Sequence, residues 1–456
     1  MTILEQMAER VAGLRYEDLP ASSVEAAKLR LLDTVGCALG AVGIDPIPLV
    51  VDHVAQLGGK PECTVIASGL RTNAPGASFA NSALIRLLDA NDIFFGRAMG
   101  GHQSDFLSAP LALAERQHAG GKALIVATVI SYEIACRLSD AQRPEAKNRS
   151  WDYATQAGFA GAAAAGYLLG LDAGRIAQAM ALGGMNTASF SELRRGVVPS
   201  CKATASAAVL QWAVQAALLA QAGLTGPLTL MEGSHGFMHG VGGDWDQVER
   251  LTAPFEDLYV EKMQTKFVPA IGTSQSTLAA VLQLRTTHSL PADRVEDVLV
   301  ELADIPLTHE QQTDPARLAP TTRETADHSL PYLVTVALMD GEITQRQFAE
   351  GRWLEPEIRE FMARVRYRGA PDLNVYCPGS YPARVTIRTN SGSTHRTQVP
   401  YPPGHPQNPM DRDQIADKAR RLGREALPAP RLEEAIGLLL DLERVDDVGK
   451  LMALLA

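Results

Sequence analysis

Residues 154–169 read ATQAGFAGAAAAGYLL. From Ala157 to Leu169 the stretch holds no charged residue and is built mostly of Ala and Gly. Alanine is the best helix former. A helix with no polar face has to be packed on every side, and small side chains let its neighbours come close. This segment therefore predicts a helix at the centre of a helical body, with Gly170 as its C-cap. Working outward, Leu107–Gln117 and Ala123–Leu138 are apolar at helical period. A further long helix is expected over 203–222, stopped by Gly223. The window Ala203–Leu224 is the most apolar in the chain. Gln211, Gln215 and Gln221 interrupt it, which favours a buried helix over a membrane span.

Toward the N-terminus, Ile3, Leu4, Met7, Val11 and Leu14 fall on one face of an amphipathic helix rather than in a signal peptide. Ser22-Ser23-Val24-Glu25 has the form of a capping box for a helix through KLRLLDTVGCALGA. The texture changes near residue 260. Glu296–Ala303 (EDVLVELA) and Ala383–Thr389 (ARVTIRT) alternate like strands, and Thr273–Leu284 and Pro331–Leu338 read as helices between them. Residues 400–409 (PYPPGHPQNP) read as a linker, after which RLEEAIGLLLDLERVDDVGKLMALL returns to helix. The expectation is a mainly α protein. A large helical domain over 1–260 is completed by 405–456, and a smaller α+β lid covers 261–404.

The chain has 456 residues, 46% of them apolar, and a formal net charge of −10. That charge argues against nucleic acid and anionic membrane as partners. It leaves room for an acidic substrate held by a local cluster of Lys and Arg. Five cysteines stand far apart without a CxxC pair, so zinc ribbons and Cys-ligated clusters are not indicated. A reducing, cytoplasmic setting fits, with the cysteines expected to be buried and inert. P-loop, HExxH, GxSxG and GxGxxG patterns are absent from the sequence.

The chemistry has to come from scattered groups. Asp89 and Asp92 close an apolar run in LLDANDIFFGRAMGGHQSD (87–105), and a buried carboxylate there can serve as a base or as a helix-end group. His102 follows two glycines, which permit close backbone approach to a ligand. Arg194, Arg195 and Lys202 lie in a cationic loop suited to carboxylates. Lys266 sits at the change of texture, where a cleft is favoured. Tyr332 in DHSLPYL reads by itself as a core tyrosine.

Taken together these stretches resemble the MmgE/PrpD family, which includes 2-methylcitrate dehydratase, cis-aconitate decarboxylase and iminodisuccinate epimerase. LLDANDIFFGRAMGGHQSD is similar to a family pattern of Asp-x-x-Asp-Thr followed by His-Pro-Ser. GFAGAAAAGYLLGLD, Lys202 ahead of AGLTGP, LMEGSHGF, KFVPA and DHSLPYLVTVAL follow in family order. The resemblance implies a helical domain and an α+β lid with the active site between them. It also implies a homodimer, and no metal or organic cofactor. It implies catalytic roles for Asp89, His102, Lys202, Lys266 and Tyr332, and places Asp92, Gln103, Ser104, Arg194 and Arg195 near the substrate. The sequence departs from the pattern at Ile93, Gln103 and Ile271. Tyr153, or Trp151, stands where many members carry a second histidine.

Substrates of the family are small di- or tricarboxylates, attacked at a carbon beside a carboxylate. Cations must then hold the developing enolate and a base must face the carbon. Asp89 or His102 is the expected base. His102 or Tyr153 would be the acid for a leaving hydroxide. Dehydration is the leading expectation. Two-base epimerisation comes next, then decarboxylation, and an inactive carboxylate-binding protein is the alternative outside enzymes.

Overall fold

The computed structural model describes residues 1–98, 100–143, 150–242, 244–349 and 351–456. The small-residue helix runs over Ala157–Leu168, and all of its residues except Tyr167 are buried. It packs against Gly121–Asp140, Ala173–Met185 and Ala205–Gln221. The contact with Ala173–Met185 is backbone on backbone. A Cβ added to Gly158 would fall 2.7 Å from the Gly183 carbonyl oxygen, and one on Gly183 would fall 2.3 Å from that of Gly158. No larger residue fits at this crossing. The helix Ala205–Gln221 lies inside the same bundle, as the expected core helix.

One apolar core extends from Leu4 to Met263 and takes in Ile415 to Leu455. The helix Arg412–Gly423 lies on Ala21–Gly40, where a Cβ at Gly36 would meet the Ala419 Cα at 2.9 Å. A second core spans Val268 to Ile387. It is covered by a four-stranded sheet in the order Val365–Ala370, Val295–Ala303, Ala383–Thr389, Thr394–Val399. The first pair is parallel and the others are antiparallel. Ala383, Val385 and Ile387 point inward toward helices Gln275–His288 and Leu330–Asp340, with the period of two that a one-sided sheet requires. The outer face carries Glu301, which pairs with Arg368, Arg384 and Arg396. The protein is thus mainly α with a small mixed sheet in the lid. The helical body also holds a two-stranded ribbon, Cys63–Thr64 with Arg71–Thr72.

The chain passes twice between the cores, and the two passages are tied together. The Thr265 N–H donates to the Gly404 carbonyl at 2.9 Å. Gly404 has φ +87°, and a Cβ there would lie 2.0 Å from the Thr265 oxygen, so only glycine serves.

Two local expectations are corrected. The helix Ala21–Gly40 begins at Pro20 without a side-chain cap. Ser22 and Ser23 donate instead to the carboxylate of Glu261, which removes them from the box. Cys37, Cys63 and Cys136 are buried, whereas Cys201 is exposed and Cys377 half-buried. Cys201 sits on the short helix Ser200–Thr204 beside Lys202, and the lysine takes the inward position.

Candidate active site

The helix Ala74–Leu87 starts on Asn73, whose side chain accepts from the Gly76 N–H at 2.8 Å. It carries Arg86 in its last turn and stops just before Asp89. Asp89 has φ +53°, an uncommon conformation for a residue with a side chain, and is 1% exposed. Three cations converge on it. Arg86 lies 3.2 Å from one carboxylate oxygen, Lys202 lies 3.1 Å from the other, and Lys266 pairs directly with the first. Burial alone would raise the Asp89 pKa, but Arg86, Lys202 and Lys266 outweigh it and hold the carboxyl well below its usual range.

Two imidazoles face this carboxylate. His102 Nε2 lies 3.7 Å away and His328 Nε2 lies 3.5 Å away. His102 Nδ1 donates to the Asp92 carbonyl at 2.6 Å, which leaves Nε2 with its lone pair. His328 Nδ1 is bound to the Asp327 carboxylate, which fixes the same tautomer. Burial lowers both pKa values. For His102 the charges of Arg86 and Lys266 add to it, and for His328 the charge of Lys202 brings the value to about 4. Both rings are therefore neutral near pH 7.

These groups line a cavity of about 300 Å³ between the helical body and the lid. Arg86, Asp89, His102, Tyr153, Arg194 and Arg195 of the sequence-derived and neighbouring set border it. Lys202 and Lys266 stand one layer behind. Lys202 is 3.1 Å from Asp89, 3.3 Å from Asp327 and 3.5 Å from His328 Nδ1. Asp89, Asp327 and His328 are close enough to hold a metal ion, but the Lys202 ammonium already fills the space among them. Burial lowers the pKa of Lys202, and brings that of Lys266 down to about 8 against the pull of Asp89. A third lysine, Lys418, braces the layer from behind. It donates to the carbonyls of Ala90 at 2.6 Å and Lys266 at 2.7 Å and pairs with Asp33.

Asp92 does not border the cavity. Its carboxylate accepts from the Tyr132 hydroxyl at 2.7 Å and from the Ser104 N–H at 3.2 Å, so it sets the loop that carries His102. Gln103 and Ser104 are buried in that loop, outside the cavity wall. Arg194 is held by Asp152 and lies over the Tyr153 ring, 4.8 Å from its centroid. Arg195 pairs with Glu310 of the lid.

Tyr153 and Trp151 both border the cavity. The Tyr153 hydroxyl donates to Asp105 at 2.5 Å, and the ring meets His102 edge-on with centroids 5.5 Å apart. Burial and the Asp105 charge raise the Tyr153 pKa far above its ordinary value. Its proton is committed to Asp105, whose own pKa burial lifts to about 6. Trp151 stacks on Phe190. Tyr332 lies elsewhere. It is fully buried in the lid core with its hydroxyl on the Gln347 carbonyl, and it does not border the cavity.

Arg86, His328 and Arg317, which border the cavity, and Asp327 behind them are functional candidates that sequence reasoning did not single out. Arg86 had a signal, being the one charge inside the apolar run ANSALIRLL. Asp327 and His328 stand in the segment read for Tyr332.

The fold and the site define a two-part protein with an acid–base cleft at the junction of a helical body and a lid. The chain belongs to the MmgE/PrpD family. The MmgE/PrpD N-terminal domain matches residues 5–249 and the MmgE/PrpD C-terminal domain matches residues 268–442. The chain is similar to cis-aconitate decarboxylase of Mus musculus, 22% identical over 100% of this chain and 93% of the relative. It is 24% identical to cis-aconitate decarboxylase of Aspergillus terreus, over 99% of this chain and 96% of the relative. With 2-methylcitrate dehydratase of Cupriavidus necator it shares 27% identity over 86% of this chain and 84% of the relative.

Proposed function

We propose that the protein is a lyase acting on a small di- or tricarboxylate by proton abstraction beside a carboxylate, with loss of water as the reaction. The arrangement that carries this reading is the pair of neutral imidazoles, His102 from the helical body and His328 from the lid, set on either oxygen of one ionised aspartate. A proton taken up by either Nε2 is met at once by the Asp89 carboxylate, the favourable counter-charge for an imidazolium. His102 is the base in this scheme. Arg86, buried on the cavity wall, faces the charge that develops on the substrate carboxylate. His328 protonates the departing hydroxide. Burial and the charge of Lys202 keep that ring neutral, and the negative charge of a bound substrate beside it favours its protonation.

The same two bases, one from each side of the cleft, also suit removal and return of a proton at a single carbon. Epimerisation is therefore the second reading. Proton NMR of the purified protein in deuterium oxide separates the possibilities, with citrate-, methylcitrate-, aconitate-, malate- and aspartate-type acids. A new vinylic proton that grows as the signals of the hydroxy acid fall supports dehydration. Deuterium wash-in without elimination supports epimerisation. Release of carbon dioxide from an aconitate-type acid would replace both with decarboxylation, the activity in the names of several relatives.

A further inference from the structure

The charges around the cleft are already balanced. Arg194 is paired with Asp152, Arg195 with Glu310, and Arg317 with Asp314 at 3.4 Å. Arg86, Lys202 and Lys266 face Asp89, Asp105 and Asp327. Among the described residues, each of these cations thus has a carboxylate opposite it. Each further carboxylate that a substrate brings is therefore a further uncompensated charge in a largely buried site, which is costly.

Beside Ser191, Thr273 and Gln311, one part of the wall is apolar. A Cβ at Gly272 would lie 2.7 Å from Ile93 Cδ1 and 3.3 Å from Phe95 Cζ, so the lid rests directly on these two side chains. Phe95 meets Tyr381 of the lid with ring centroids 4.7 Å apart. Ile271 and Leu307 extend the same surface, and Leu307 at the mouth is 37% exposed. A narrow extension beyond Ile271 and Tyr381 is bordered by Leu302, Ala303 and Leu330 together with Ser274, Thr308 and Gln311. A short, highly charged acid would leave this patch wet.

We propose that the acid is a dicarboxylate carrying an apolar substituent of three or more carbons, lying on the patch formed by Ile93, Phe95, Ile271, Leu307 and Tyr381. This rests on the proton-transfer reading for the carboxylate end and adds the identity of the other end. Each buried methylene is worth roughly fourfold in affinity.

Calorimetric titration of the full chain with malate, citrate and 3-propylmalate tests it. The expected result is a Kd for 3-propylmalate at least about tenfold below those of malate and citrate. In Ile271→Glu and in Leu307→Ser, two partly exposed positions, that preference should shrink. Citrate or malate binding as tightly as 3-propylmalate overturns the proposal, as does a preference that survives both substitutions. The same acids followed in deuterium oxide keep the two readings apart. Tight binding of 3-propylmalate without proton exchange retains the substrate class and removes the lyase. Elimination from citrate with weak binding of 3-propylmalate does the reverse. No binding of any of the three acids overturns both.

Discussion

Lys266 binds Asp89 twice, through the carboxylate and through the main-chain carbonyl at 2.8 Å. The left-handed backbone of Asp89 turns both oxygens toward one ammonium. Asparagine also tolerates this conformation. Asp89→Asn should therefore keep the local backbone while leaving Lys202, Lys266 and Arg86 undercompensated. Stripping one partner from a buried charge cluster costs about 3–5 kcal/mol. Urea unfolding should show a loss of that size. The double variant Asp89→Asn with Lys266→Met should recover part of it, since it removes a cation as well. A double variant less stable than the single would mean that Lys266 acts through packing rather than charge.

His328 and Tyr153 should separate under substitution. Loss of a positioned acid or base costs on the order of 10²–10⁴ in rate. His328→Gln is expected to lower turnover by that amount. Tyr153→Phe removes only the hydroxyl bound to Asp105 and is expected to cost less than about tenfold in turnover and ~1–2 kcal/mol in stability. Steady-state kinetics on whichever acid shows exchange in deuterium oxide is the measurement. Equal losses in the two variants would return Tyr153 to the chemistry.

Acid should weaken the fold through His328. Burial, with Lys202, pushes its pKa down to about 4 from an ordinary 6.5. Between those values the unfolded chain binds a proton that the folded chain does not. The contribution is complete above pH 6.5 and is lost as pH falls toward 4, by about 3 kcal/mol in all. Asp105 works the other way, because burial lifts it to about 6 and the folded state protonates first below that pH. Comparing wild type with His328→Gln isolates the histidine. Wild type should lose about 3 kcal/mol more than the variant between pH 7 and pH 4. Parallel pH profiles would show that the ring is not held neutral.

Gly101 should tolerate no side chain. A Cβ there would lie 2.2 Å from Tyr153 Cγ. Gly101→Ala must displace the ring that packs edge-on against His102, at an overpacking cost of about 1–3 kcal/mol. Turnover should fall with it, and proton NMR of the His102 ring should shift. Unchanged activity would show that the ring can move without consequence.

The helical body was legible because its signal is local. A run such as Ala157–Leu168 with no polar face has only one stable solution, burial among other helices. The strand Ala383–Thr389 announced itself in the same way, through its period of two. Asp89, His102, Lys202 and Lys266 were found because a family pattern connected them. Their partners were not, because the contacts join distant parts of the chain. Lys202 meets Asp89 and Asp327 across separations of 113 and 125 residues. Tyr332 shows the converse. Its segment does reach the cleft, but through His328, four positions earlier. Ser329 caps the helix Leu330–Asp340 by accepting from the Tyr332 N–H, and the tyrosine ring turns into the lid core.

The bracing lysine, Lys418, places a late event in the life of the chain. Its ammonium joins Ala90, Lys266 and Asp33, and the helix that carries it closes the core beneath Asp89. The roughly 150 residues from Lys266 to Arg412 are made first, which takes on the order of 10–30 s at ribosomal speed. The lid is complete with Thr394–Val399, just before that interval ends, while the larger body still exposes the apolar face of Ala21–Gly40 that Arg412–Gly423 will cover. The nascent chain therefore waits with its larger half open, and it is there, rather than at the lid, that a chaperone would find something to hold.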